Sequence, residues 1–233
     1  EQLEAGTLTS RDVDRLAVLL ADFHNRQPAL DADHGFASAE RRRLAALAAL
    51  DPEDALAHNW RGRLKLERLD FRGASDDFDE ALRLDPRLAV AWYNRGNVRL
   101  DLGDPLGALQ DFGAAARLDP ALTGAPYGAG LAKLSMGDDQ GAAEAFRTAL
   151  NLDPGLHQAI LRRAEALSGL GDTPEALRLF DRVLRHHPDS VGALLARAEA
   201  RAADMDYDGA IADYSRVVEL APQLPLGYRR RAQ

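Results

Sequence analysis

Small and aromatic residues recur along the chain at a fixed interval of 34 residues. Six prolines keep the same register: Pro52, Pro86, Pro120, Pro154, Pro188 and Pro222. We therefore number repeat positions 1 to 34 from the third residue after each proline. A period of this length is typical of a solenoid in which each unit is a pair of antiparallel helices.

Residue sizes within a unit predict where the two helices cross. Position 8 is small (Gly62, Gly96, Gly130, Ala164, Ala198), and position 20 is alanine (Ala74, Ala108, Ala142, Ala176, Ala210). Position 24 is aromatic (Phe78, Phe112, Phe146, Phe180, Tyr214), and position 27 is Ala81, Ala115, Ala149, Val183 or Val217. Small residues let two helix backbones approach closely, and one large ring then fills the space between pairs.

Position 16 predicts the start of the second helix in each unit. It is occupied by Asp70, Asp104, Asp138, Asp172 and Asp206, and glycine precedes three of these at Gly103, Gly137 and Gly171. Glycine can end the first helix in the left-handed conformation, and the aspartate can accept hydrogen bonds from the free N–H groups that open the second. The recurrent proline then ends the second helix.

These positions carry a family resemblance. The second unit, with Trp92, Gly96, Ala108, Phe112 and Ala115, ending at Pro120, resembles a tetratricopeptide repeat (TPR). The resemblance implies an all-α fold, an α-solenoid forming a right-handed superhelix of antiparallel helix pairs. It covers residues 55–222 as five tandem units, which we place at 55–88, 89–122, 123–156, 157–190 and 191–224.

The two ends of the chain are less regular. For residues 1–54 we predict a helical region that contains a degenerate first repeat, because Glu40 replaces the alanine of position 20. Residues 225–233 resemble the start of a further first helix, or a helix that caps the array. We favour a fragment of a longer protein over a cap.

The charge composition indicates which classes of partner are disfavoured. The chain has 29 Lys and Arg residues against 37 Asp and Glu residues, a net charge of −8, which disfavours nucleic acid and anionic membrane surfaces. No apolar run reaches the length of a membrane span. There is no cysteine, so the redox compartment is not indicated.

Candidate catalytic chemistry is weak. The histidines His24, His34, His58, His157, His186 and His187 show no metal-ligand spacing, and His186 and His187 are better explained by favourable interaction with a helix C-terminus. No nucleophile, base and orienting group are indicated together. We therefore predict no enzyme activity, no cofactor and no metal.

The resemblance implies that the first helices line a concave groove, mainly through positions 2, 5, 9, 12 and 13. The groove residues we single out are Asn59, Arg63, Glu67, Tyr93, Asn97, Asp101, Tyr127, Leu131, Leu134, Leu161, Glu165, Leu195 and Glu199. Leu161 and Leu195 have an equally good explanation as supports for neighbouring helices. Some family members bind a C-terminal carboxylate with a Lys/Asn/Arg clamp, but Tyr127 and Leu131 replace its later cations here.

The groove pattern predicts a class of ligand. Tyr93, Tyr127, Leu131 and Leu134 are apolar, and carboxylates flank them, with no groove cation to compensate Glu165 and Glu199. We therefore expect a protein or peptide partner with basic residues flanking an apolar centre. Solvation of these carboxylates without a ligand is the alternative.

Comparison of the units also predicts ion pairs. Position 7 is arginine and position 23 is aspartate in three units: Arg61 with Asp77, Arg95 with Asp111, and Arg197 with Asp213. We expect each pair to join the two helices of its unit, with Lys65, Arg99 and Arg201 one turn further along. Arg163 is the exception, because it faces Leu179.

Two classes of function follow. The first is a non-catalytic scaffold that holds a peptide segment or helix of a partner in its groove. The second is a regulatory or targeting region of a larger enzyme or multidomain protein. Self-association through the ends of the array is a third possibility that the pattern leaves open.

Overall fold

The computed structural model describes residues 53–223, and this part of the chain consists of ten α-helices without a strand. In chain order they are α1 Ala55–Leu66, α2 Phe71–Leu84, α3 Ala89–Asp101, α4 Pro105–Leu118, α5 Gly124–Ser135, α6 Asp139–Leu152, α7 His157–Gly169, α8 Thr173–His186, α9 Val191–Ala203 and α10 Tyr207–Leu220. The predictions for the terminal segments lie outside these residues. No helix in the described range is long and apolar enough to cross a membrane.

Each helix packs against the next helix in the chain, so the ten helices form a linear array of adjacent pairs. The more extensive contacts between alternate helices join first helices of successive units: α1 with α3, α3 with α5, and α7 with α9. First helices therefore crowd together on one side of the array, as expected for the inner side of a solenoid. The predicted all-α solenoid is confirmed, while the sense of its superhelix stays a prediction.

Position 16 caps the second helix as predicted. In all five units its carboxylate accepts a hydrogen bond from the backbone N–H three residues later, at 2.8 to 3.4 Å. The preceding glycines Gly103, Gly137 and Gly171 have φ of 80, 76 and 82°, the left-handed region that glycine adopts without strain. Leu69 and Met205 occupy the same turn in the outer units with φ of 60 and 64°.

The aromatic residues of position 24 form the centre of each unit. Phe78, Phe112, Phe146 and Phe180 are at most 1% exposed, and Tyr214 is 4% exposed. Gly62, Gly96 and Gly130 each lie against the ring of their own unit, where an added Cβ would meet it at 2.5 to 2.8 Å. The small residue at position 8 is therefore required by the ring at position 24.

The predicted Arg–Asp pairs are present in all three units. Nε and Nη2 of the arginine donate to the aspartate at 2.9 and 2.5 Å for Arg61–Asp77, and at 2.9 and 2.7 Å for Arg95–Asp111. In the third pair the distances are 2.9 and 2.6 Å. Arg163 instead lies 3.6 Å from Glu175.

Each of these aspartates also meets the second cation of its unit. Lys65, Arg99 and Arg201 lie 2.9, 3.1 and 2.8 Å from Asp77, Asp111 and Asp213. Burial acts to raise the pKa of Asp77, but hydrogen bonds from Arg61 and Lys65 outweigh it, so the pKa lies below its ordinary value. The charged form is thus the stable one inside the helix pair.

Candidate functional site

Two tyrosines on successive first helices are held in the same way. Tyr93 of α3 packs on the buried Phe112 with ring centroids 5.9 Å apart and an angle of 51° between the ring planes. Tyr127 of α5 packs on Phe146 at 5.6 Å and 52°. Both tyrosines remain half-buried, so each presents part of its ring to solvent from a fixed support.

The first residue of α5 makes room for one of these rings. A Cβ built on Gly124 would meet Cε2, Cζ and the hydroxyl oxygen of Tyr93 at 2.8 to 3.0 Å. Tyr93 therefore lies directly against the backbone of the next unit, which restricts its rotamers. The tyrosine is fixed from two sides before any ligand arrives.

The leucines of the predicted groove are supported by the core. Leu131, Leu134, Leu161 and Leu195 are all partly buried and pack against one hydrophobic cluster that runs from α6 to α10. Tyr127 packs against the same cluster. These side chains thus contribute to the joints between units as well as to the surface.

One residue of the predicted groove set, Asn59, is buried between helices. Only 2% of it is exposed, and its Oδ1 accepts a 2.9 Å hydrogen bond from Nδ2 of the buried Asn94. The reason is that Asn94, on the next first helix, supplies a donor that satisfies the Asn59 amide between α1 and α3. Asn59 is therefore unavailable to a ligand in this structure.

The other polar groove residues reach the surface to different degrees. Arg63 is half-buried and its guanidinium stacks over the ring of Trp60 at 4.6 Å from the centroid. Asn97 is half-buried, whereas Glu67, Asp101 and Glu199 are exposed. Carboxylates thus reach solvent at the C-terminal ends of α1 and α3 and again on α9.

Glu165 is paired with a cation that lies outside the predicted groove positions. Nη1 of Arg162, one turn earlier on α7, donates to the Glu165 carboxylate at 2.9 Å. This hydrogen bond raises the pKa of Arg162, and electrostatic interaction with Tyr127 raises it slightly further. Arg162 therefore partly neutralises Glu165.

Sequence reasoning missed Arg162 because it occupies position 6, outside the positions assigned to the groove. The 3-residue spacing of Arg162 and Glu165 on one helix could have indicated the pair. Reasoning unit by unit also missed Asp79 and Asp181, which bind Arg95 and Arg197 of the following unit at 2.6 Å.

Three histidines meet where α8 ends and α7 begins. The His157 ring lies 5.4 Å from His186 and 4.4 Å from His187, both edge to face. Within residues 53–223, no three His, Asp or Glu side chains are arranged to hold a metal ion. Their role in this geometry is packing between the two helices of the fourth unit, α7 and α8.

The fold and the repeat positions agree with a known family. The model of the tetratricopeptide repeat matches residues 61–123, 93–157 and 161–225. The chain therefore belongs to the tetratricopeptide repeat family, whose repeats serve generally as protein-interaction modules.

Solved structures with the same fold are distant in sequence. The structure of pilF from Pseudomonas aeruginosa is 22% identical, covers 95% of this chain and 97% of its own, and has a TM-score of 0.76. YrrB, described as a TPR protein with an unusual peptide-binding site, is 20% identical over 82% of this chain and 98% of its own, with a TM-score of 0.70. A MamA structure from Desulfovibrio magneticus is 18% identical over 73% and 97%, with a TM-score of 0.68. No curated protein matches the sequence.

Proposed function

We propose that this chain is a non-catalytic scaffold that binds a peptide segment of a partner protein along its first helices. The observation that carries the proposal is the pair of supported tyrosines, Tyr93 and Tyr127, which repeat one geometry on successive units. YrrB, which shares the fold, is described as having a peptide-binding site.

Rigid aromatic side chains are efficient anchors for a ligand. A tyrosine already held by packing loses little conformational entropy on binding, and its ring offers a large contact area. Tyr93 is held by Phe112 and Gly124, and Tyr127 by Phe146. Leu131 and Leu134 continue the apolar surface on α5. An extended or helical segment with apolar residues at its centre suits this surface.

Charge favours a ligand with basic residues on both sides of that centre. Glu67 and Asp101 are exposed near one end of the array, and Glu199 is exposed near the other. The whole chain carries a net charge of −8, so its long-range field attracts cationic segments. Opposite charges on the two partners speed their encounter and fix the register of the bound segment.

A display library of random peptides, selected on the immobilised chain, tests the proposal. We expect selected peptides to share an apolar centre with Arg or Lys on both sides. Tyr127→Ala should weaken their binding by roughly 10-fold or more, because truncating a central anchor typically costs about 2 kcal/mol and tenfold corresponds to about 1.4 kcal/mol. The double variant Asp101→Lys/Glu199→Lys should weaken them by a similar factor.

The matched control is Asp76→Lys/Glu144→Lys, which changes the net charge equally at exposed positions of second helices. Unchanged affinity in this control, with loss in the first pair, locates the effect on the first helices. Selected peptides that bind wild type and Tyr127→Ala equally well would contradict the proposed groove. Equal loss in both charge-reversed pairs would contradict the basic flanks and leave only a net-charge effect.

A further inference from the structure

Two units of the array share one polar arrangement three repeats apart. Arg95 binds Asp111 within its unit and Asp79 of the preceding unit, and Arg197 binds its equivalents Asp213 and Asp181 in the same way. In both units the two carboxylates hold the guanidinium from two sides. The surrounding leucine and proline also repeat, as Leu82 and Pro86 in one place and Leu184 and Pro188 in the other.

Trp92 covers this arrangement in the earlier unit. The Arg95 guanidinium lies over the indole ring, 4.7 Å from its centroid. Nε1 of the indole donates a 2.9 Å hydrogen bond to the carbonyl oxygen of Pro86. The ring also packs beside the buried Leu82. A cation for the ring face, a carbonyl acceptor for the N–H and an apolar neighbour are thus arranged around one indole group.

The later unit has the same site without the indole. Leu194 stands at the position of Trp92, and it is only 4% exposed. A cavity of about 370 Å³ opens there, lined by Asp181, Leu184, Arg185, Pro188, Leu194 and Arg197.

We propose that the cavity between α8 and α9 binds a tryptophan side chain of a partner protein. The indole occupies the place that Trp92 occupies three repeats earlier, stacks on the Arg197 guanidinium and donates its N–H to the Pro188 carbonyl. Leu184 and Leu194 supply the apolar wall. This site is separate from the proposed groove, since none of its lining residues belongs to the predicted groove set.

At the Arg197 guanidinium, the two bound carboxylates favour an aromatic ring over an anion. Asp181 and Asp213 bind Arg197 at 2.6 to 2.9 Å and raise its pKa, chiefly through the hydrogen bond with Asp213. The guanidinium is thus neutralised at its edge while its flat face stays suited to stacking. Its orientation is fixed before a ligand binds.

Titration of the full chain with N-acetyl-tryptophanamide, followed by NMR, tests the proposal. We expect saturable shifts at the Nε–H of Arg197 and at the methyl groups of Leu184 and Leu194. N-acetyl-leucinamide, which has no ring, should shift these signals much less at the same concentration. The absence of saturable shifts in the wild-type chain would overturn the proposal.

Two variants exchange the residues at the equivalent positions 92 and 194. Leu194→Trp should fill the cavity and abolish the shifts at Arg197, whereas Trp92→Leu should open an equivalent site and add saturable shifts at Arg95. Helical circular dichroism checks that each variant folds. Undiminished shifts in a folded Leu194→Trp variant would show that the ligand binds elsewhere and overturn the proposal. Should Leu194→Trp fail to fold, absence of new shifts at Arg95 in Trp92→Leu would overturn it equally.

Discussion

Arg95 and Asp111 lie 16 residues apart in the chain, and two hydrogen bonds of 2.9 and 2.7 Å join them across the helix pair α3–α4. Asp111 is only 1% exposed, and it also meets Arg99 at 3.1 Å. A buried carboxylate held by two cations fixes how the two helices slide against each other. The same relationship in the first and last described units makes it a recurrent feature of this array.

Removal of the buried carboxylate should destabilise the array strongly. Asp111→Ala leaves Arg95 and Arg99 without their buried partner, and we expect the free energy of unfolding to fall by about 3 kcal/mol. Urea unfolding followed by circular dichroism measures this. Asp79, the other partner of Arg95, has a side chain that is 56% exposed. Asp79→Ala should therefore lower the free energy of unfolding by less than about 1 kcal/mol. Equal losses in the two variants would contradict the assigned role of burial.

Adding a single methyl group at a closely packed glycine of the first helices should destabilise the fold. A Cβ on Gly128 would lie 2.5 Å from two carbons of the buried Phe112 ring, so Gly128→Ala should lower the free energy of unfolding by about 1–3 kcal/mol. A Cβ built on Gly192 of α9 would meet no atom within 4 Å. Because alanine favours the helix more than glycine does, Gly192→Ala should raise the free energy of unfolding by up to about 1 kcal/mol. Thermal unfolding of both variants checks the opposite signs. A stabilised Gly128→Ala would refute the close packing.

The two strained turns should gain from glycine. Leu69 and Met205 have positive φ and are 73 and 75% exposed, so they gain little from packing. Leu69→Gly and Met205→Gly should each raise the free energy of unfolding by about 1 kcal/mol, because glycine adopts this conformation without the Cβ clash. Leu102→Gly is the control. Leu102 has φ of −82°, so its replacement should give no gain, and equal gains at all three positions would exclude relief of strain.

Stability should depend on pH through His157. Burial lowers the pKa of His157, and the neighbouring His187, His186 and Arg182 lower it further, while Asp153 opposes them. Below the ordinary histidine pKa of about 6.5 the unfolded chain binds more protons at this residue than the folded chain. The stabilising contribution is therefore present above that pH and is lost as the pH falls towards the folded pKa. Urea unfolding at about pH 7.5 and about pH 5.5 should show a larger decrease for wild type than for His157→Gln. Equal decreases in the free energy of unfolding for the two proteins would show that His157 does not cause the pH dependence.

The sequence predicts the fold well because one physical solution repeats. Residue size at positions 8, 20 and 24 determines a helix crossing, and the joint occurrence of arginine and aspartate at positions 7 and 23 identifies an ion pair. Contacts between units are harder to predict, because their partners belong to different repeats. Asp79 binding Arg95 and Asn94 binding Asn59 are both of this kind. The groove was predicted less completely, since the expectation for Glu165 ignored Arg162 at a neighbouring position.

We propose that ligands bind on the first helices, at the supported tyrosines Tyr93 and Tyr127. The most direct measurement is the footprint of a selected peptide on the backbone amides of the full chain, recorded by ¹H–¹⁵N NMR during titration. Saturable shifts should concentrate on α3, α5 and α7, around Tyr93, Tyr127 and Leu131. Shifts confined to the second helices α4, α6 and α8, with those tyrosines unaffected, would contradict it.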